Sequence, residues 1–210
     1  QDISGWCVTN IAAEPFEFSH NPPLIESNKP VWGFCPNTLT PITDANIHTA
    51  VDLWVSDPST ATTTYGNIST WDVSQVTDMS NLFKFKYDFN DDISIWDVSN
   101  VTNMYTMFYN ATSFNQDIGQ WDVSSVTDMS AMFYNTDNFN QDISGWDVSS
   151  VTDMEAMFSN ANDFNDDISN WNVSNVTDMG RVFYGATSFN QDIGSWDVSS
   201  VTNMFDMFSS

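Results

Sequence analysis

Aspartate returns on a fixed beat through most of this sequence. Asp92, Asp117, Asp142, Asp167 and Asp192 stand 25 residues apart, and Asp91, Gln116, Gln141, Asp166 and Gln191 run beside them. A third column holds Asp72, Asp97, Asp122, Asp147, Asn172 and Asp197, and a fourth holds Asp78, Asn103, Asp128, Asp153, Asp178 and Asn203. Hard carboxylate oxygens in pairs suit calcium. The candidate ligands are therefore Asp91, Asp92, Asp117, Asp142, Asp166, Asp167 and Asp192. The plainer reading, and the favoured one, is that each carboxylate closes a turn in its own backbone while salt screens the remainder. Like charges ~4.8 Å apart repel by ~1 kcal/mol in water and by ~3–4 kcal/mol at an effective dielectric of about 20. Amides relieve the other three columns, whereas the first is unrelieved.

Other chemistry has little support. No Ser/His/Asp arrangement, phosphate loop or His-rich metal signature is present, and paired carboxylates are too frequent here to signal acid–base work. The expectation is that the chain is not an enzyme. With 4 basic against 28 acidic residues and a net charge of −24, nucleic acid is a poor partner. No apolar run reaches membrane-spanning length, so no membrane insertion is expected. The tryptophans Trp71, Trp96, Trp121, Trp146, Trp171 and Trp196 keep the 25-residue interval and read as packing rather than as a sugar platform. The column from Met79 to Met204 reads as adaptable core filler. Asn90, Asn115, Asn140, Asn165 and Asn190 are expected to form a hydrogen-bonded ladder. A single Thr column beside an acidic one makes a poor ice-binding face. Asn67, Asn100, Asn110, Asn172 and Asn175 open N-x-S/T sequons, incidental to the Asn/Val/Ser/Thr-rich repeat in a bacterial protein and exposed acceptors in a host that glycosylates.

A strict 25-residue period means that each unit is one coil, unable to bury its own apolar face and obliged to stack on a neighbour. In one coil the apolar positions are Ile118, Trp121, Val123, Val126, Met129, Met132, Phe133 and Phe139. Val-Thr-Asp-Met-x-x-Met-Phe suits a short helical or 3₁₀ turn capped by Thr127 or Asp128. The stretch around Asp117-Ile118 reads as a short strand. The expected fold class is thus a repeat solenoid, with a parallel strand and a short helical or 3₁₀ turn per coil. Six coils spaced ~4.8 Å apart would make a rod about 30 Å long.

Three segments are expected: 65–210 as the six-coil array, 37–64 as its capping helix and connector, and 1–36 as an end-of-array coil with a cap. In the middle segment, Ile47, Val51, Trp54 and Val55 follow Thr43-Asp44 and precede Asp57-Pro58. That is an amphipathic helix with start and stop signals, and Ser59–Thr64 reads as a polar connector. The first residues, Gln1 to Ile11, match Gln191 to Val201 in phase. The chain so opens partway through a coil, which suggests that a leader or a larger precursor has been left out. The 14 residues after Trp196 and the 5 before Trp6 leave a coil short by 25 − 14 − 1 − 5 = 5 residues, so the two ends fit each other. Cys7 and Cys35 read as a disulfide in an oxidising setting, worth roughly 3–4 kcal/mol in the chain-entropy model. Two buried thiols are the alternative.

The unit D-I-S-x-W-D-V-S-x-V-T-D-M resembles the BspA-type, leucine-rich-repeat-like repeats of mycoplasma lipoproteins and bacterial surface proteins. Trp6-Cys7-Val8-Thr9-Asn10-Ile11, with Lys29-Pro30-Val31-Trp32-Gly33 and Cys35-Pro36, resembles the closing segment of such arrays. The resemblance implies an extracellular solenoid with a role in adhesion or surface structure, and it carries no catalytic residues. The expected function is a building block of a surface filament or giant adhesin, assembling head to tail with copies of itself or with adjacent modules. The expected interface is Gln1, Asp2, Ile3, Trp6, Val8 and Ile11 against Trp196, Val198, Val201, Met204, Met207 and Phe208. The alternative is a module that binds glycan or surface protein along one face.

Overall fold

The computed structural model describes residues 3, 6, 8, 11–15, 18, 28, 29 and 39–209. The chain divides into two compact units, Gln1–Thr40 and Pro41–Ser210. In the first unit, Trp6 N–H donates to the Ile3 carbonyl and Ile11 N–H to the Val8 carbonyl, each at 3.0 Å. Ile3 and Val8 are buried there, and Lys29 pairs with Glu14 at 3.0 Å. Cys7 and Cys35 lie outside the described residues.

The second unit opens with α1, Ile47–Ser56, which buries Ile47, Ala50, Val51 and Trp54 and leaves Val55 exposed. The connector expected at Ser59–Thr64 is instead a helix, α2, Pro58–Tyr65. Asp57-Pro58 is a start as well as a stop: Asp57 caps Thr60 N–H at 3.1 Å, and Pro58 occupies the first turn. Thr62, Thr63 and Thr64 return their hydroxyls to carbonyls four residues back, the polar helix habit that makes such a run look like a loop in sequence. Gly66, at φ 87°, ends the helix, and a 3₁₀ turn at Ile68–Thr70 leads into Trp71.

From Trp71 onward the expected fold class does not hold. Among the described residues there is no β-strand, and the coils contain no helix of either kind. Successive coils meet instead through single parallel bridges, Asp78 to Asn103, Asn103 to Asp128, and so on to Asn203. The cause is the handedness of the backbone. Asn81, Phe85, Thr106, Asn110, Ala131, Asn135, Ala156, Asn160, Arg181, Gly185 and Asp206 all have positive φ. A left-handed residue at every fourth position of this stretch bends the chain before a strand can extend. Alternate N–H groups therefore go in two directions. Met79, Asn81, Phe83 and Phe85 donate to the next coil at 2.8–2.9 Å, while Leu82, Lys84 and Lys86 close turns within their own coil. Asp117 likewise closes a turn, accepting Gly119 N–H at 3.0 Å, and does not start a strand.

Side chains complete the stack. Phe83, Phe108, Phe133, Phe158 and Phe183 lie nearly parallel with centroids 5.3–5.9 Å apart. Such pairs add ~0.5–1.5 kcal/mol each beyond their burial. Each array Trp is at least nine-tenths buried, and from Trp96 to Trp196 its indole N–H donates to the Ile carbonyl 28 residues earlier. The Asn ladder is made by backbone as well as amides: Asn115 N–H donates to Asn90 Oδ1 at 2.9 Å, and this recurs up to Asn190. Among the described residues, no buried side-chain nitrogen or oxygen lacks a partner.

The first coil has no coil before it, and α1 with its lead-in supplies the missing partners. Asp44 accepts Thr77 N–H and the Thr77 hydroxyl, both at 2.8 Å, where later Thr residues find the carbonyl of the previous coil. His48 Nε2 lies 2.8 Å from the Ser80 carbonyl and must carry the proton there. The Trp71 indole donates to Gly66 O at 3.0 Å.

Candidate functional site

In the sixth coil the apolar column lies open. Val173, Met179 and Phe183 are at most 3% exposed, whereas their equivalents Val198, Met204 and Phe208 are 38%, 43% and 61% exposed. With Ile193, Trp196 and Met207 they line a groove of about 310 Å³. Backbone groups are open with them. Met179, Arg181 and Phe183 donate to Asn203, Phe205 and Met207, but the equivalent N–H groups of Met204, Asp206 and Phe208 find no acceptor among the described residues. The Ile193 carbonyl is the acceptor that a further indole would use, as Trp196 uses Ile168 O at 3.1 Å. The sixth coil thus sets an apolar surface beside backbone N–H groups that have no acceptor among the described residues.

Of the interface residues expected from sequence, Val198, Met204 and Phe208 are exposed on this face. Val201 is partly buried, and Trp196 and Met207 are buried. Phe205 is 60% exposed, with the Arg181 guanidinium 5.1 Å from its ring centre, but its phase is exposed within the array as well, at Tyr105. On the amino-terminal side, Trp6 and Ile11 are exposed while Ile3 and Val8 are buried. Gln1 and Asp2 lie outside the described residues. The bonds from Trp6 to Ile3 and from Ile11 to Val8 repeat those from Trp121 to Ile118 and from Val126 to Val123. This strip therefore has the local turns of a coil.

The carboxylate columns are occupied by backbone. Asp92, Asp117, Asp142, Asp167 and Asp192 each accept the N–H two residues on, at 2.9–3.1 Å. Asp91 accepts the Trp54 indole at 2.8 Å, and Asp166 accepts Ile143 N–H at 2.8 Å. The hydroxyls of Ser94, Ser144 and Ser169, then the backbone, hold Asp92, Asp142 and Asp167 below the usual carboxylate range. Among the described residues, no three His, Cys, Asp or Glu side chains converge as a metal site. The sequon asparagines are engaged too. Asn67 and Asn172 cap turns, Asn110 accepts from Asn135, and the amides of Asn100 and Asn175 donate to Ser74 O and Ser149 O. A glycan on Asn100 or Asn175 would sit on a nitrogen that already donates between coils.

Sequence reasoning missed the polar caps Asp44 and His48, and an open groove beside α1 lined by Trp54, Phe85 and Tyr87. The signal for the groove was present, since Lys84 to Tyr87 depart from the repeat.

The family described as "Mycoplasma protein of unknown function, DUF285" matches residues 57–162 and, a second time, 117–210. The two matches overlap and together run from α2 to the last coil, well over half of the chain. No curated protein and no solved structure matches it. One family fits the repeat twice over, on the coils whose register has just been described: the chain belongs to the DUF285 family.

Proposed function

We propose that the chain is a BspA-type surface-repeat module, extracellular, that associates end to end by coil completion. Residues 1–11 of one copy lie as the next coil on the 193–208 face of another, on a separate chain or as the adjacent module of one polypeptide. The likeness to BspA-type repeats concerns the sequence unit and not a strand-based fold. One observation carries the proposal. Val198, Met204 and Phe208 are exposed at positions that are buried wherever another coil lies above. The amino-terminal strip supports it, because it has the coil's own turn bonds and leaves Trp6 and Ile11 uncovered. Docked in register, the Trp6 indole donates to the Ile193 carbonyl of its neighbour. Such a head-to-tail contact is heterologous, so it propagates rather than closes. The acidic composition and the two cysteines of the opening segment support an oxidising, extracellular setting.

The test is sedimentation of the chain over a range of concentrations, beside Trp6→Ala and a deletion of residues 1–11. The expected result is multimers that grow with concentration in the wild type and monomers in both variants. A wild type that stays monomeric throughout sinks the proposal, as does a variant that assembles like the parent.

A further inference from the structure

The first coil departs from its own repeat along one short stretch. Lys84-Phe85-Lys86-Tyr87-Asp88 stands where the next coil has Tyr109-Asn110-Ala111-Thr112-Ser113. Phe85 has a φ of 61°, and the later coils fill this left-handed position with Asn110, Asn135, Asn160 and Gly185. Asn and Gly tolerate that backbone; a bulky side chain is strained by it. Burial does not offset the strain, because the Phe85 ring is 50% exposed and Tyr87 beside it 54% exposed. The two ring centres are 6.3 Å apart. Two half-exposed aromatics, one held in unfavourable backbone and edge-on to Tyr109 at 5.5 Å, replace two small polar residues. Folding alone does not call for them, and strain of this kind collects where a site needs a fixed geometry.

These rings stand in a polar frame. With Trp54, Lys86, Asp88 and Asp91 they line an open groove of about 580 Å³, within the range of small-molecule sites. The Trp54 indole holds the Asp91 carboxylate at 2.8 Å. The cations are already engaged: Lys86 pairs with Asp52, and Lys84 lies 5.0 Å from the ring centre of Tyr109. Asp88 is exposed and makes no hydrogen bond among the described residues. The groove thus offers ring faces and carboxylate acceptors but no free positive charge. A chain of net charge −24 also repels anionic ligands. A pyranose presents the complementary surface, an apolar C–H face rimmed by hydroxyl donors.

We propose that the groove between α1 and the first coil binds a neutral oligosaccharide, with Phe85 and Tyr87 as stacking platforms and Asp88 and Asp91 accepting from its hydroxyls. The site is at the other end of the coil series from the 193–208 face, so its test is independent of end-to-end association.

The chain is applied to an array of neutral hexose and N-acetylhexosamine oligosaccharides, and the best-retained one is titrated by calorimetry. The comparison is the double variant Phe85→Asn/Tyr87→Thr, which installs the residues of the second coil, and the single variant Tyr87→Thr. The expected result is at least a tenfold loss of affinity in both variants, with no fall in melting temperature. If the wild type retains no oligosaccharide, or if Tyr87→Thr binds as the parent does, the proposal is overturned. A double variant that melts well below the parent overturns it too, because the aromatics would then be there for packing.

Discussion

Asp153 sits between Asp128 and Asp178 in the bridged column, in surroundings that disfavour its charge. Burial, then the charges of Asp128 and Asp178, raise its pKa against the pull of the Glu155 N–H. A folded-state value above the unfolded one means that the protonated form favours folding. That contribution is complete at low pH and is lost as pH rises through the raised value, from about 4 upward. The same column already contains a remedy. Asn203 donates through Nδ2 to both oxygens of Asp178, at 2.9 and 3.0 Å. Asp153→Asn should copy this arrangement and still accept Glu155 N–H. Allowing for solvent screening, it is expected to stabilise the chain by at most about 1 kcal/mol at neutral pH, and the gain should vanish below pH ~4. Thermal melts of both chains across this range check it; a gain that is larger in acid contradicts the account. The turn-closing carboxylates act with the opposite sign. Ser hydroxyls and backbone N–H groups lower Asp72, Asp122, Asp147 and Asp197, so their contribution is present above the usual value of 3.8 and lost as pH falls below it.

At the scale of elements, the question is how a stack begins. A first coil has donors and acceptors facing the place where no coil lies, and α1 with its lead-in meets them with side chains in place of backbone. Asp44 takes two N–H groups and a hydroxyl from Thr77 and Asp78, and Thr77 N–H is the main reason that its pKa is lowered. Asp44→Ala leaves these donors to water and should cost about 1–2 kcal/mol, allowing for exposure. Hydrogen exchange should show Thr77 and Asp78 losing protection first, while Thr177 is unchanged; uniform loss over all coils would mean that Asp44 does not act as a local cap. Little of this was legible in the sequence, where Thr43-Asp44 reads only as a helix start. The core columns were legible, since the positions of Trp71, Val73, Met79 and Phe83 stay buried at the same phase from the first coil to the fifth. Strands were wrongly expected because apolar spacing is blind to the sign of φ, and Met-x-x-Met-Phe fits a turn as well as a helix. The clue lay in Asn81, Asn110, Asn135, Asn160 and Gly185, residue types that tolerate left-handed backbone. The Phe85 groove stayed hidden for the converse reason: it is a departure, and repeat reasoning attends to what recurs.

For the whole molecule, one residue type in two coils separates folding from assembly. Val173 is covered by the sixth coil and 1% exposed, whereas Val198 on the open face is 38% exposed. A carboxylate at position 173 would be buried without a partner, so Val173→Asp should cost several kcal/mol and leave little folded chain. At position 198 the same change meets water and should shift the melting temperature little. In an end-to-end stack, however, position 198 becomes as buried as position 173. Val198→Asp should therefore abolish association while the monomer remains folded. Charge adds a second handle. Copies carrying −24 each repel, and the repulsion is long-ranged at low salt, with a Debye length of ~30 Å at 0.01 M against ~8 Å at 0.15 M. Apolar coil completion predicts that wild-type multimers grow as salt is added over this interval and that Val198→Asp stays monomeric at both ends of it. Association driven by charged rims would instead weaken with salt, and sedimentation at the two ionic strengths distinguishes the two.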